Sequence, residues 1–335
     1  MIFSIAILLI IQFLVYFYLK DKRFISYSAV QKIHDGEIPR IGGLIFFIGL
    51  LFLIFFNFNE LRLLIPLLLG STIILLFSFY EDIRQSLSPL FRLVILFLGS
   101  SIFVFFTDLP EINVLYLNFI NQYSLISFLI FTFSLMLLMN GFNFIDGLNG
   151  LSSFNFYSIL FSTYYLAIIL GDDYLVNLVT IFLLSSILIF LLNFPLGRIF
   201  IGDSGSYLYA FYSGALIIFL FSRHNDLPTL LALVILAYPI TEMLFSMIRK
   251  IIEKKSPMQP DTLHLHHLVF LQFSKKNKIA NNLSSLIMLP FSISPFALCY
   301  LSFNNRHIDE ELIFLIYFIT YSLAYLVLRK KRFNF

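Results

Sequence analysis

The sequence predicts an all-α integral membrane protein of about eleven transmembrane helices, with its N-terminus outside and its C-terminus in the cytoplasm. Three observations carry this. Of 335 residues, 59% are hydrophobic and only 12% charged, and the mean hydropathy is +0.91. A soluble domain carries about 25% charged residues, and no single soluble core of this size hides so much apolar surface. The apolar residues fall into runs close to the ~20 residues that cross a bilayer. Threading those runs back and forth then sorts the basic residues onto one side.

In order, the runs are 1–19, 41–57, 63–80, 91–107, 124–140, 151–170, 175–194, 207–222, 229–248, 282–302 and 312–328. The first has no basic n-region and no small-residue cleavage site, so it is expected to be a retained span. With the N-terminus outside, the loops 20–40, 81–92, 195–206 and 249–281, the span ends beside them and the tail 329–335 hold 19 of the 22 basic residues. Only Arg62, Arg223 and Arg306 fall on the other side, whose loops are acidic or neutral. No internal repeat or linker interrupts the chain, so residues 1–335 are expected to form one polytopic domain. With no Trp, the 18 Tyr are left as interfacial anchors. The single cysteine, Cys299, excludes an internal disulfide and a thiolate metal cluster.

Five polar stretches interrupt this apolar chain, and all five are placed on the cytoplasmic side. They are HDGEIPRIGG (34–43), YEDIRQSLSP (80–89), MNGFNFIDGLNG (139–150), NFPLGRIFIGDSGS (193–206) and DTLHLHH (261–267). Glu81, Asp82, Asp146 and Asp203 sit at span ends, where an unpaired charge is costly. Each could be a helix cap or an arginine partner. Gathered on one face with Asn140 and Asn143, they also form a hard oxygen set of the kind that suits Mg²⁺, with Mn²⁺ as the substitute. The absence of clustered Cys and of HExxH argues against zinc. GLNG (147–150) and GDSGSY (202–207) each lead into a helix, and such starts offer backbone N–H groups to anions. His264, His266 and His267 leave three readings open: a transition-metal site, donors to phosphate oxygens, or a solvated loop. Lys32, His34, Arg40 and Arg92 read as interfacial anchors that could also neutralise phosphate charge.

Together these stretches resemble the polyprenyl-phosphate N-acetylhexosamine-1-phosphate transferases, over about residues 30–270 and in that family's order. PRIGG (39–43) matches its PRxGG stretch. Glu81–Asp82 match its paired aspartates, with Glu in the first place. NGFNFIDGLNGL matches its NxxNxxDGxDGL signature, with Asn149 in place of the last Asp. The resemblance implies that Asp203 binds magnesium, that Arg92 and the histidines of HLHH handle a diphosphate, and that Phe200, seven residues after Asn193, stacks on uracil. It also places Asn149 against uracil. Glu242 stands where the family often has Asp after the YP of a late span; a salt bridge with Arg249 is the alternative, and its role is left open. The Glu–Asp pair and the GLNGL ending resemble the initiators of O-antigen and exopolysaccharide synthesis more than the phospho-MurNAc-pentapeptide transferase of peptidoglycan synthesis, which is the alternative.

The implied reaction takes a UDP-N-acetylhexosamine and a polyprenyl (undecaprenyl) phosphate and releases UMP, at the cytoplasmic face of a bacterial inner membrane. Asp203 and Asn143 are the expected magnesium ligands, with Asp146 close by. Asp82 is expected to orient or deprotonate the lipid phosphate, assisted by Glu81. Arg40, Lys32, Asn140, Asn149, Asn193 and Phe200 are expected on the substrates. Membrane lipids are partners, as is a second copy if the protein dimerises like its relatives; nucleic acid is not. The rival class is a transporter. Transporters gather polar groups near the bilayer midplane in paired halves, whereas here they lie at one face and no repeat is found.

Overall fold

A computed structural model describes residues 2–20, 38–57, 61–256, 263–273, 278–305 and 309–333. Thirteen α-helices are described: α1 (Ile2–Leu19), α2 (Gly42–Asn57), α3 (Leu61–Arg84), α4 (Pro89–Phe105), α5 (Ser124–Ile145), α6 (Leu151–Ile169), α7 (Asp173–Asn193), α8 (Gly202–Arg223), α9 (Leu231–Ile235), α10 (Ala237–Ile252), α11 (Leu265–Phe270), α12 (Lys278–Asn304) and α13 (Glu310–Phe333). A short 3₁₀ turn, Asn118–Gln122, precedes α5, and no strand is present among the described residues.

Every expected span meets a helix, and the protein is a helical, multi-pass membrane protein. Six helices are long and apolar enough to cross a bilayer by themselves: α3, α5, α7, α8, α12 and α13. Helices α1, α2 and α4 are apolar but shorter. Helix α6 is diluted by Ser152, Ser153, Asn155, Ser158, Ser162 and Thr163, all buried. The run 229–248, expected as one span, is broken between α9 and α10 at Leu236. Pro239 has no N–H to give to the carbonyl of Ile235, four residues back, and α9 ends at that residue.

Helix α8 is the hub. Its apolar window is buried on all sides, packed by α2, α3, α5, α6 and α7. Its aromatic side chains interlock with those neighbours: Tyr209 stacks on Phe156 of α6 at 4.2 Å and meets Phe46 of α2 edge-on, while Phe211 meets Phe103 of α4. Gln12 of α1 donates to the carbonyls of Ile45 and Ser185, tying α1 to α2 and α7.

Prolines inside α12 are accommodated by neighbours, as a membrane interior requires. Pro295 cannot bond the carbonyl of Phe291, and Tyr317 of α13 donates to that oxygen instead, at 2.7 Å. One residue on, the Phe296 N–H is taken by Ser158 of α6.

Candidate active site at one end of the bundle

The polar stretches meet where α2, α6 and α8 begin and α3, α5 and α7 end. PRIGG pairs with FIGDSG through a parallel bridge between Arg40 and Phe200. The Phe200 N–H donates to Pro39, and the N–H groups of Gly42 and Gly43 donate to Phe200 and Ile201. The starts of α2 and α8 are therefore in backbone contact. Phe200 itself is half-buried beside them.

The first turn of α8 is held by Asp82, at the end of α3. One carboxylate oxygen accepts from the Asp203 N–H at 2.8 Å; the other accepts from the Ser204 N–H at 3.0 Å and the Ser204 hydroxyl at 2.6 Å. Asp82 is buried. It was expected to handle the lipid phosphate; in the structure both its oxygens accept from donors at the start of a helix. Gly202 makes this approach possible. Its φ is +78°, and a Cβ there would lie 2.7 Å from the Asp82 carboxylate. Glu81 is likewise occupied: it accepts from the Ser86 and Leu87 N–H groups, closing the turn between α3 and α4.

Asp203 is thereby aimed differently from Asp82. Its side chain is 19% exposed and lies between two arginines, 3.5 Å from Arg92 and 3.9 Å from Arg40. Arg92 is also 3.9 Å from Glu81, and Arg40 is 3.9 Å from Asp82. These are loose contacts, most of them beyond hydrogen-bond length. Asn143 of α5 reaches the same place: its amide donates to the Ser206 hydroxyl, which donates to the Asp203 carbonyl. The carbonyl oxygen of the Asn143 side chain has no hydrogen-bond partner among the described residues.

Asp146 ends α5. Burial, and then the nearby charge of Asp203, push its carboxyl up to about 8, against the pull of Arg40. A buried set of carboxylates that repel each other this way is short of positive charge, and a divalent cation would supply it. Among the described residues, no three His, Cys, Asp or Glu side chains could hold a bare ion by themselves. Mg²⁺ commonly takes one or two carboxylates and completes its shell from substrate phosphates and water.

The histidines pack against the Asp146–Gly147 turn. A Cβ on Gly147 would collide with His266 Nε2 and His267 Nε2. The rings of His264, His266 and His267 lie 4.3–5.8 Å apart, and all three are buried. A solvated loop is therefore excluded. Burial, and then His267 and His264, hold the His266 ring well below its usual range, and neither of its nitrogens has a hydrogen-bond partner among the described residues. His264 Nδ1 meets Glu242 at 2.8 Å. Glu242 therefore does not form the alternative bridge with Arg249, which pairs with Glu253.

Three residues expected on the substrates also make internal hydrogen bonds. Asn193 accepts from the Gly150 N–H and donates to Ile199, pinning the 146–150 turn to the loop before α8. Asn149, expected against uracil, is buried under α12: its backbone N–H donates to Asn281, its amide to Asn282, and its carbonyl accepts from Ser285. Asn140 bonds back to Met136 within α5. A lone Asn at a span end carries no sign of which of these tasks it performs. Lys32, His34 and Asp261 lie outside the described residues.

A family model described as glycosyl transferase family 4 matches residues 64–221, from α3 to the end of α8. A probable undecaprenyl-phosphate N-acetylglucosaminyl 1-phosphate transferase of Bacillus subtilis is 28% identical over 276 residues, covering 80% of this chain and 75% of that protein. An undecaprenyl-phosphate alpha-N-acetylglucosaminyl 1-phosphate transferase of Thermotoga maritima is 28% identical over 277 residues, 82% of this chain and 80% of its own. One of Haemophilus influenzae is 30% identical over 261 residues, 71% of this chain and 69% of its own. The chain belongs to glycosyl transferase family 4, the polyprenyl-phosphate N-acetylhexosamine-1-phosphate transferases.

Proposed function

We infer that the protein transfers an N-acetylated sugar 1-phosphate from a UDP-sugar to undecaprenyl phosphate, releasing UMP. The names of its relatives make N-acetylglucosamine the first sugar to test and disfavour the peptidoglycan alternative. The observation that carries the reading is the meeting, at one end of the bundle, of a partly open Asp203, the Asn143 carbonyl, two loosely held arginines and a buried histidine cluster.

An oxygen of the lipid phosphate attacks the phosphorus that bears the sugar, and the anhydride bond to UMP breaks. Both reactants are anions, so the barrier is largely electrostatic. Arg40 and Arg92, which flank Asp203 at 3.9 and 3.5 Å, would meet the phosphate oxygens. Asp203 and Asn143 would hold Mg²⁺, with Asp146 close by. When bound, the cation supplies charge neutralisation at the diphosphate. A phosphate's second pKa is about 6, so the lipid phosphate attacks largely as a dianion and no protein base is required. That agrees with Asp82 being committed to α8. Asp82 and Glu81 then act by placing Asp203 and Arg92. His264, His266 and His267 face the diphosphate, and Phe200 stacks on the uracil. Asn149, Asn193 and Asn140 shape the loops that carry these groups.

The same reading takes all eleven apolar runs as spans, the N-terminus as outside and the site as cytoplasmic, in a bacterial inner membrane. The distribution of 19 of 22 basic residues supports this. Purified protein with Mg²⁺, undecaprenyl phosphate and a panel of UDP-N-acetylhexosamines should release UMP and form a lipid-linked sugar resolved by thin-layer chromatography. No UMP from any member of the panel overturns the reading.

A further inference from the structure

Glu242 is 1% exposed, in the second turn of α10, where an apolar residue would pack at no cost in charge. A carboxylate buried at such a place needs partners for both oxygens. One meets His264 Nδ1 at 2.8 Å, and the other accepts from the Tyr321 hydroxyl of α13. The His264 ring is boxed in on its other sides. Phe144, from the turn that carries Asn143 and Asp146, lies 5.3 Å away; His266 stacks on it within 11° of parallel, and His267 meets it edge-on.

A carboxylate on one ring nitrogen fixes the tautomer and the orientation of an imidazole. With Nδ1–H given to Glu242, Nε2 is the atom presented outward, and it has no hydrogen-bond partner among the described residues.

We propose that Glu242 is the positioning residue of the transfer reaction: it orients His264 from α10, braced by Tyr321 from α13, so that Nε2 faces the phosphate groups. The inference rests on the reaction proposed above. It also explains what α10 and α13, outside the matched family segment, contribute to the site.

A double-mutant cycle tests it. Glu242→Gln keeps the shape and removes the charge. It should lower kcat about 10–100-fold, the scale known when a carboxylate that orients a metal-bound histidine is removed, with KM for the UDP-sugar changed less than threefold. Glu242→Asp should recover part of the loss. In a His264→Ala background, Glu242→Gln should have less than a twofold further effect, because its route of action is gone. Tyr321→Phe, which leaves the charge in place, should show a smaller loss that vanishes in the same background; it carries the test if Glu242→Gln does not fold. Multiplicative losses, or full rate in Glu242→Gln with active wild type, overturn the positioning role alone. Wild type that releases no UMP overturns the reaction and, with it, this role.

Discussion

Asp82→Asn is expected to fail as a mild test of a catalytic carboxylate. The native side chain accepts three hydrogen bonds, one on one oxygen and two on the other. An asparagine has a single acceptor oxygen. If that oxygen keeps the two Ser204 bonds, the new NH₂ faces the Asp203 N–H, donor against donor. The loss includes one hydrogen bond, worth about 0.5–1.5 kcal/mol, and a buried donor without a partner, worth about 1–3 kcal/mol. A total of about 3 kcal/mol corresponds to a fall in melting temperature on the order of 4 °C, at ~2.1 cal/mol/K per residue over 335 residues. Asp203→Asn is the control. That carboxylate makes only contacts of 3.5–3.9 Å, and its charge opposes that of Asp146. It should melt at or above the wild-type temperature while losing transfer activity and Mg²⁺ dependence. Thermal unfolding in detergent, followed beside UMP release, reads both. An Asp82→Asn protein that melts like wild type, or an Asp203→Asn protein equally destabilised, would refute the division of labour between the two aspartates. Full activity in Asp203→Asn would remove that residue from the site.

Gly147→Ala should cut activity at least tenfold with a small change in melting temperature, because its methyl group would displace the His266 and His267 rings; wild-type activity would show that the histidines need not touch that turn. At the opposite end of the bundle, Asp172 caps α7 and takes hydrogen bonds from Arg223 and His224. Burial raises its carboxyl, but the Arg223, Leu175 and His224 donors outweigh this and hold it below the usual carboxylate value. The unfolded chain therefore binds the proton first as pH falls. The stabilisation is fully present above about pH 4 and is lost as pH drops through the lowered native value. Asp172→Asn should lower the melting temperature at neutral pH and flatten its acid limb; an unchanged acid limb would contradict the assignment.

Much of this was legible in the letters because lipid imposes a strict demand. An apolar run of about 20 residues in such a chain has little choice but to be a helix, so every expected segment met one. The break before α10 was not expected, although Pro239 accounts for it. The gathering of the polar stretches was legible from charge alone. What each polar residue does there was not. Asn143 and Asn149 belong to one short signature, yet one reaches the Asp203 turn and the other is locked beneath α12. That difference depends on a helix more than 130 residues away in sequence. Glu242 shows the same limit. Arg249 stands seven residues on, about 10.5 Å along a helix at 1.5 Å per residue, too far for an ion pair. Its true partner comes from a loop whose docking the sequence did not specify.

The complete enclosure of α8 bears on how the chain enters the membrane. A helix that meets only protein need not satisfy lipid, and α8 is the least apolar of the six clear spans, at a hydropathy of 1.4, while α7 just before it is the most apolar, at 2.7. The insertion machinery weighs each segment by its own transfer free energy. Helix α8 is therefore expected to follow α7 into the bilayer as the second arm of a hairpin, across the eight residues 194–201. Asp203 thus opens the segment that the bilayer alone would be least ready to accept, and its delivery depends on the neighbour synthesised before it.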